Sequence, residues 1–478
     1  MRRNVQFVLI QGKNMFMFRR SYKRNIPLMA GVEFLGFLGI TSFWILFLSQ
    51  NRMSLLQIGL LESIFHATGI IFEIPSGMLA DRFSYKANLY ISRLTSILSS
   101  ILMLTGQGNF WIYAIAMIIN ALSYNFDSGT SSALLYDSAV EADLKDCYLK
   151  LSSLISGVSE AAISLGTVLA GLFVHGYLYV TYYIMIAVSI VVLILIWLIK
   201  EPDMKRQTDK VVTMKKIILT VKEEMKSSPS LFAWMMIFQF VGTMMCMFYF
   251  YYQKQLPDLA GWQISTVMLI GSVLNILAVS IASKIGKTWH SFRIFPVVVS
   301  LTGGAYILSF LETPFMYILV YLATNALYAM YQPIFYNDLQ QYLPSSARAT
   351  MLSVASMMFS LSMIIIFPIV GWLIDSFGFD QTFIGLGLVL ILLTPLLVIA
   401  FQVIRKRLNI IKHFDINENL SKIDELFQRR NLYVHSNGVV NGIYVKSVEG
   451  TSYITGETIV TDIDYIENMI RSVVEVAW

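Results

Sequence analysis

Stretches of about 20 mostly apolar residues recur along this chain, and each is long enough for an α-helix to cross the hydrocarbon layer of a bilayer. They fall near 27–49, 57–80, 88–105, 110–135, 150–174, 178–199, 231–252, 262–283, 293–310, 315–336, 350–373 and 382–404. Short polar breaks separate them. Apolar residues make up 56% of the 478 and charged residues 14%, against roughly 25% charged in an ordinary soluble domain. So few charges cannot coat a soluble globule of this size, so lipid must cover part of the surface. An all-α polytopic membrane protein of twelve spans is the expectation.

Loop charge tests the count independently. With the N-terminus inside, the outer loops near 50–56, 106–109, 175–177, 253–261, 311–314 and 374–381 hold two basic residues, Arg52 and Lys254. The N-terminal arm holds seven, the 200–230 loop eight and the tail from Arg405 nine. That asymmetry places both termini in the cytoplasm. The apolar run from Val5 to Ile10 is too short for a signal peptide, and Gln11, Gly12 and Lys13 interrupt it.

The charged 200–230 loop divides six spans from six. Asn120-Ala121-Leu122 in the fourth recurs as Asn325-Ala326-Leu327 in the tenth, and Gln57-Ile58-Gly59 opens the second as Gly261-Trp262-Gln263 opens the eighth. Repeated halves can rock against each other around a site between them. The expected organisation is a basic arm (1–26), a six-helix bundle (27–199), a linker (200–230), a second bundle (231–404) and a cytosolic α/β appendage (405–478). In the appendage, Asp415 to Arg430 reads as an amphipathic helix. Leu432–His435, Ile443–Lys446 and Tyr453–Thr455 read as strands, with turns at Asn437-Gly438 and Asn441-Gly442. Asp462 to Val476 reads as a last helix.

Charges inside spans are costly and usually face a cavity. Glu62, His66 and Glu73 share one face of the second span, and Asn120, Tyr124, Asp127 and Ser131 one face of the fourth. The fifth has a polar face of Ser152, Ser156, Ser159, Glu160 and Thr167. The tenth has an uncharged one of Tyr321, Asn325, Tyr328 and Gln332, and the first adds Glu33. At about 1.5 Å per residue, Glu160 and His66 lie near mid-membrane, and Asp127, Glu73 and Glu33 in the inner third. Asp127 and Glu160, then Glu33 and Glu73, are candidates for binding and releasing protons. His66, Asn120, Tyr124, Asn325, Tyr328 and Gln332 are candidates for the substrate path. Arg93 is expected to snorkel to the cytoplasmic interface. The aromatic and methionine run Met244–Tyr252, with Trp44 and Phe37 facing it, suits an apolar or amphipathic cargo.

The segment EIPSGMLADRFSYK, residues 73–86, resembles the loop signature of the major facilitator superfamily, Gly-x-Leu-x-Asp-Arg-x-Gly-Arg-Lys. Gly77, Leu79, Asp81, Arg82 and Lys86 match; Ser84 replaces the usual glycine and Tyr85 the usual arginine. The resemblance implies a cytoplasmic latch in which Asp81 meets the positive ends of neighbouring helices. Glu73-Ile74-Pro75, SSALLYDSAVE (131–141) and LPSSARATMLSVASM (343–357) look like a bacterial drug-exporter-like branch. The antiporter signature of the fifth span is partial: Gly157 and Gly166 match, but Ala170 and Gly171 replace its Gly-Pro.

The function expected is proton-coupled export of a hydrophobic or amphipathic small molecule from the cell membrane. Proton-coupled uptake of a polar nutrient and a membrane-anchored sensor with a signalling tail are the alternatives. The chain is expected to act as a monomer, with lipid, cargo and protons as its partners and no nucleic acid. Cys147 and Cys246 form no disulfide framework and no metal cluster. No cofactor or metal is expected. The sequence carries no catalytic triad or phosphate loop, so an enzyme is excluded.

Overall fold

A computed structural model describes residues 22–82, 84–202, 222, 225–226, 228–343, 348–413, 425, 428–429, 432, 439–440, 444–445 and 453–459, the side chains of 74–82, 349–350 and 409–413 excepted. Among these, ten helical segments are long and apolar enough to cross a membrane. The helices are α1 (Asn25–Gly36), α2 (Trp44–Gln50), α3 (Leu55–Arg82), α4 (Tyr85–Thr105), α5 (Phe110–Asp127), α6 (Thr130–Glu141), α7 (Tyr148–Ala170) and α8 (Leu178–Leu198). They continue as α9 (Pro229–Tyr251), α10 (Gly261–Ile285), α11 (Ser291–Ile307), α12 (Pro314–Tyr342), α13 (Arg348–Phe377) and α14 (Phe379–His413). The chain forms two compact units, 1–400 and 401–478.

Two expected spans are broken. The first stops as α1 at Gly36 and resumes as α2 at Trp44. A Cβ at Gly39 would strike the Ile163 carbonyl of α7, and one at Gly166 would strike the Gly39 backbone. The two glycines therefore bring backbone against backbone, and the first span unwinds at that crossing. Ser42 Oγ donates to the Gly39 carbonyl and meets Thr167 Oγ1 at 2.7 Å, which satisfies part of the opened turn. The fourth expected span breaks after Asp127, where Gly129 takes φ +78°. Irregular backbone at membrane depth is tolerated where protein or a cavity satisfies it.

The second span, expected over 57–80, is helical from Leu55 to Arg82, so most of the loop-signature segment lies on its last turns. Helix α3 runs to Arg82 and α4 begins at Tyr85. Lys86 Nζ donates to the Trp197 and Ile199 carbonyls at the end of α8. Glu201 accepts from the Tyr85 and Lys86 amides. Opposite charges thus meet opposite helix ends. The side chains of Gly77, Leu79, Asp81 and Arg82 lie outside the described residues.

The second half packs on aromatic rings. Trp234 stacks on Phe292 at 4.4 Å, and Tyr252 on Tyr321 at 4.2 Å. Met245, Met247, Phe248, Tyr251 and Tyr252 are buried in this core. Most of the Met244–Tyr252 run therefore packs helix against helix. Trp44 stacks on Phe367, which touches Phe250 and Tyr251.

In the second unit, Val439 and Thr458 form an antiparallel bridge. Leu432, Val440, Tyr444 and Ile459 make a small core with Tyr453 against it. Leu432, Tyr444 and Val445, expected in strands, are helical. Val440 and Tyr444 both enter the core. Glu425, Gln428 and Arg429 are helical. Most of the expected helix to Arg430, both Asn-Gly turns and the helix from Asp462 fall outside the described residues.

Candidate functional site

A buried charge cluster lies inside the first half. Arg93, on α4, donates to Asp127 Oδ2 at 2.9 Å. Both residues are buried, 4% and 5% exposed. The guanidinium also donates to the Gly36 carbonyl at 3.2 Å, a group left free where α1 ends. Arg93 does not snorkel, because the Asp127 carboxylate and the Gly36 carbonyl at the C-terminus of α1 hold it inside the bundle. Ser131 donates to Asp127 Oδ1 at 3.0 Å across the Gly129 break. Glu33, 6% exposed, accepts from Ser159 of α7 at 3.2 Å. It lies within electrostatic reach of Asp127 and Arg93 and within hydrogen-bond reach of Ser131. Two carboxylates and one guanidinium thus share a buried site.

A second group borders the first. His66 Nε2 lies 3.3 Å from Glu62 Oε1, and its Nδ1 is 3.2 Å from Ser360 Oγ of α13. Phe65 meets Tyr124 edge-on at 5.7 Å, and Asn125 donates to the Gly69 carbonyl at 3.0 Å. Tyr124 lies within electrostatic reach of Glu62, Arg93 and Asp127, so it stands between the two groups.

Glu160 is exposed and unpaired among the described residues. On α7, Thr167 contacts the first span and Val168 accepts from Ser265 of α10. The α7 face between those contacts carries Ser153, Ser156, Gly157 and Glu160, so it looks into the gap between the halves. Ala161, Leu154 and Leu165 form the apolar, lipid-type face. Glu73 is exposed on the α3 face that carries Glu62 and His66.

The facing half supplies amides and phenols. Asn325 donates to Asn275 Oδ1 at 3.1 Å, and Gln239 to Tyr336 OH at 3.3 Å. Tyr328 packs near Gly242, and Gln332 is half-buried. Tyr321 does not line a path; it is buried against Tyr252. Asn120 is half-buried. The structure thus brings Glu33 and Asp127 together with Arg93 and leaves Glu160 apart from them. Reading the sequence missed Asn275, Ser360 and the pairing role of Arg93. Asn275 had a signal, as a lone amide in the apolar stretch of α10.

Hydrogen bonds between the halves gather toward the 50–56 end. Leu56 N donates to Asp375, Ser63 to the Ile364 carbonyl and Ser265 to the Val168 carbonyl, and His175 contacts the Leu259 carbonyl. Toward the other end Glu73, Ser153, Ser156, Ser353 and Ser356 are exposed. The halves are joined at the 50–56 end.

A Major Facilitator Superfamily profile matches residues 28–365 and 257–445. The uncharacterized MFS-type transporter YxaM of Bacillus subtilis (strain 168) is 25% identical over 374 residues, which are 74% of this chain and 90% of that protein. The crystal structure of the nucleoside transporter NupG superposes with a TM-score of 0.64 at 14% identity, covering 80% of this chain and 99% of that one. The D-xylose-proton symporter does so with a TM-score of 0.59 at 15% identity, over 78% and 97%. The chain belongs to the major facilitator superfamily. It is a multi-pass membrane transporter and not an enzyme.

Proposed function

We propose that this transporter exports a hydrophobic or amphipathic small molecule from the cell in exchange for protons. Twelve spans carry it: the ten described, with α5–α6 and α12 as the two more polar ones that line the cleft. Loop charge supports cytoplasmic termini, so the joined 50–56 end faces outward. The observation that carries proton coupling is the Glu33–Arg93–Asp127 cluster. Fully ionised it holds one net negative charge in a buried site, and one proton neutralises it. Glu33 is the proton-binding group of the pair, since Asp127 already has the guanidinium. Glu160 and Glu73, facing the cleft, offer protons a way in from water. The phenols, amides and acidic groups of the lining suit an uncharged or cationic amphipath better than an anion. The exporter-like segments at 73–75, 131–141 and 343–357 support the outward direction. The Gly77–Lys86 segment acts as the cytoplasmic latch, with Lys86 holding the end of α8 and Asp81 and Arg82 on the last turn of α3.

A second reading is uptake of a polar nutrient with protons. The Asn275–Asn325 pair and the fold shared with a D-xylose-proton symporter favour it. Cells expressing the protein are expected to retain less of a fluorescent amphipathic dye than cells without it, and a proton uncoupler should abolish the difference. Export indifferent to the uncoupler would remove proton coupling from the proposal.

A further inference from the structure

Nine buried side-chain nitrogen and oxygen atoms have no hydrogen-bond partner among the described residues. Five of the nine belong to residues 88–93 of α4 or to the first residue of α6: both amide atoms of Asn88, Ser92 Oγ, Arg93 Nε and Thr130 Oγ1. None of these four residues is more than 4% exposed. A buried polar atom without a partner is costly, and five together call for a ligand.

The helices show where that ligand sits. Tyr85, Asn88 and Ser92 share one face of α4, at i, i+3 and i+7. Thr130 and Asp137 share one face of α6. The two helices are tied at both ends. At the 84–86 end Tyr85 OH donates to Asp137 Oδ2 at 2.7 Å. At the deep end Arg93 donates to Asp127, whose other oxygen accepts from Ser131 of α6. Helix α4 therefore rises from Tyr85 to Arg93 as α6 descends from Ser131 to Asp137. Midway, Leu89 packs in one apolar cluster with Leu134 and Leu135. Asn88, Ser92 and Thr130 lie between the two ties.

The atoms decide what kind of ligand fits. Arg93 Nε and Asn88 Nδ2 only donate, Asn88 Oδ1 only accepts, and the two hydroxyls do either. A cation would face the guanidinium, and an anion would sit beside Asp127 and Glu33. Water suits donors and acceptors alike and carries no charge. At about three hydrogen bonds per buried water, five atoms hold about two.

We infer that a water-holding slot between α4 and α6 takes protons from the Glu33–Arg93–Asp127 cluster to the cytoplasmic face, apart from the path of the cargo. The inference rests on the proton coupling proposed above. Each water accepts one proton from the deep side and releases one toward the 84–86 end, so no net charge stays in the slot. The hydroxyls of Ser92, Thr130 and Tyr85 relay in the same way, and Asn88 holds the waters in line. Asp137, half-buried, takes the proton at the exit. A separate route lets the cluster discharge while cargo occupies the space between the halves.

The test uses two measurements on the full chain. In the first, a millisecond X-ray pulse turns water, bound water included, into hydroxyl radicals that mark the side chains beside it. Leu134 is 0% exposed and Leu89 1%, so marking of either needs water inside. Both are expected to be marked, and Asn88→Leu should cut the marking several-fold. Phe335, equally buried against Phe238 in the aromatic core, should stay unmarked. In the second, proteoliposomes with an imposed pH gradient take up the dye, and Asn88→Leu is expected to slow uphill movement several-fold. Asn88→Ser keeps a polar group and leaves room for water, so it should recover most of the rate. A packing role alone would not be rescued by the smaller side chain. Should Asn88→Leu fail to fold, Thr130→Val, which exchanges a hydroxyl for a methyl at equal size, takes its place in both measurements. Unmarked Leu89 and Leu134 in the parent would overturn the slot. Marked leucines with transport unslowed in the variant would overturn the route. The marking does not depend on coupling, so a failure of proton coupling, read from Glu33→Gln, is told apart from a failure of the slot.

Discussion

Asp127→Ala is expected to destabilise the purified protein by about 3–5 kcal/mol, because it leaves Arg93 charged, buried and without its partner. The guanidinium is 4% exposed, and its Nε already lacks an acceptor. Without Asp127 its remaining neighbours are the Gly36 carbonyl and Glu33. Ser131 also loses its acceptor across the Gly129 break, so the junction of α5 and α6 loosens with it. Removing both charges tests the cause. Arg93→Met with Asp127→Leu is expected to recover most of the stability, since well-packed apolar residues replace buried pairs at little cost. It should not recover proton-driven transport. Glu160→Ala, at an exposed position, should stay within about 0.5 kcal/mol of the parent. Thermal unfolding in detergent ranks the four proteins. An Asp127→Ala variant as stable as Glu160→Ala would mean the pair does not hold the half together.

Glu33→Gln is expected to separate transport from its driving force. The amide keeps the size of the side chain and can still accept the Ser159 hydrogen bond, so the fold should survive. What it loses is the group proposed to take the neutralising proton. With Glu33 gone, Arg93 and Asp127 balance each other, and the cluster is neutral in both conformations without one. In proteoliposomes with an imposed pH gradient, the parent should concentrate an amphipathic dye against its gradient. Glu33→Gln should only let the dye equilibrate. Glu160→Gln should slow the parent's transport and leave it driven. Uphill movement by Glu33→Gln would take the proton site away from this cluster.

Much of this architecture is written in hydropathy. Apolar segments of membrane length are visible because lipid imposes one length on every span. The two breaks are less visible. Gly39 and Gly129 look like other glycines, and only the approach of Gly166 and the bond from Ser131 to Asp127 give them a reason. Helical spacing put Asp127 and Ser131 on one face, and that relation survives the break. Spacing within one span says nothing of partners on another, however. Arg93 therefore looked like an interfacial residue, and Glu33 looked separate from Asp127. The aromatic run in α9 is ambiguous for the opposite reason: large soft side chains fill a core as readily as they line a pocket, and Phe248 and Tyr252 turned inward. In the tail, short β-branched and aromatic segments suggested strands at Leu432 and Tyr444, which are helical, because an apolar run of three or four residues is too short for its period to separate strand from helix.

The sign of a proton movement tests the account most directly. Lightly buffered inside-out vesicles receive the amphipathic dye in the medium with no gradient applied, and the medium pH is followed. Dye moving inward through an exporter drives protons out, so the medium should turn more acidic. Vesicles without the protein should show no change, and Glu33→Gln vesicles should match them. A medium that turns more alkaline would mean that dye and protons travel together, and would contradict export by exchange.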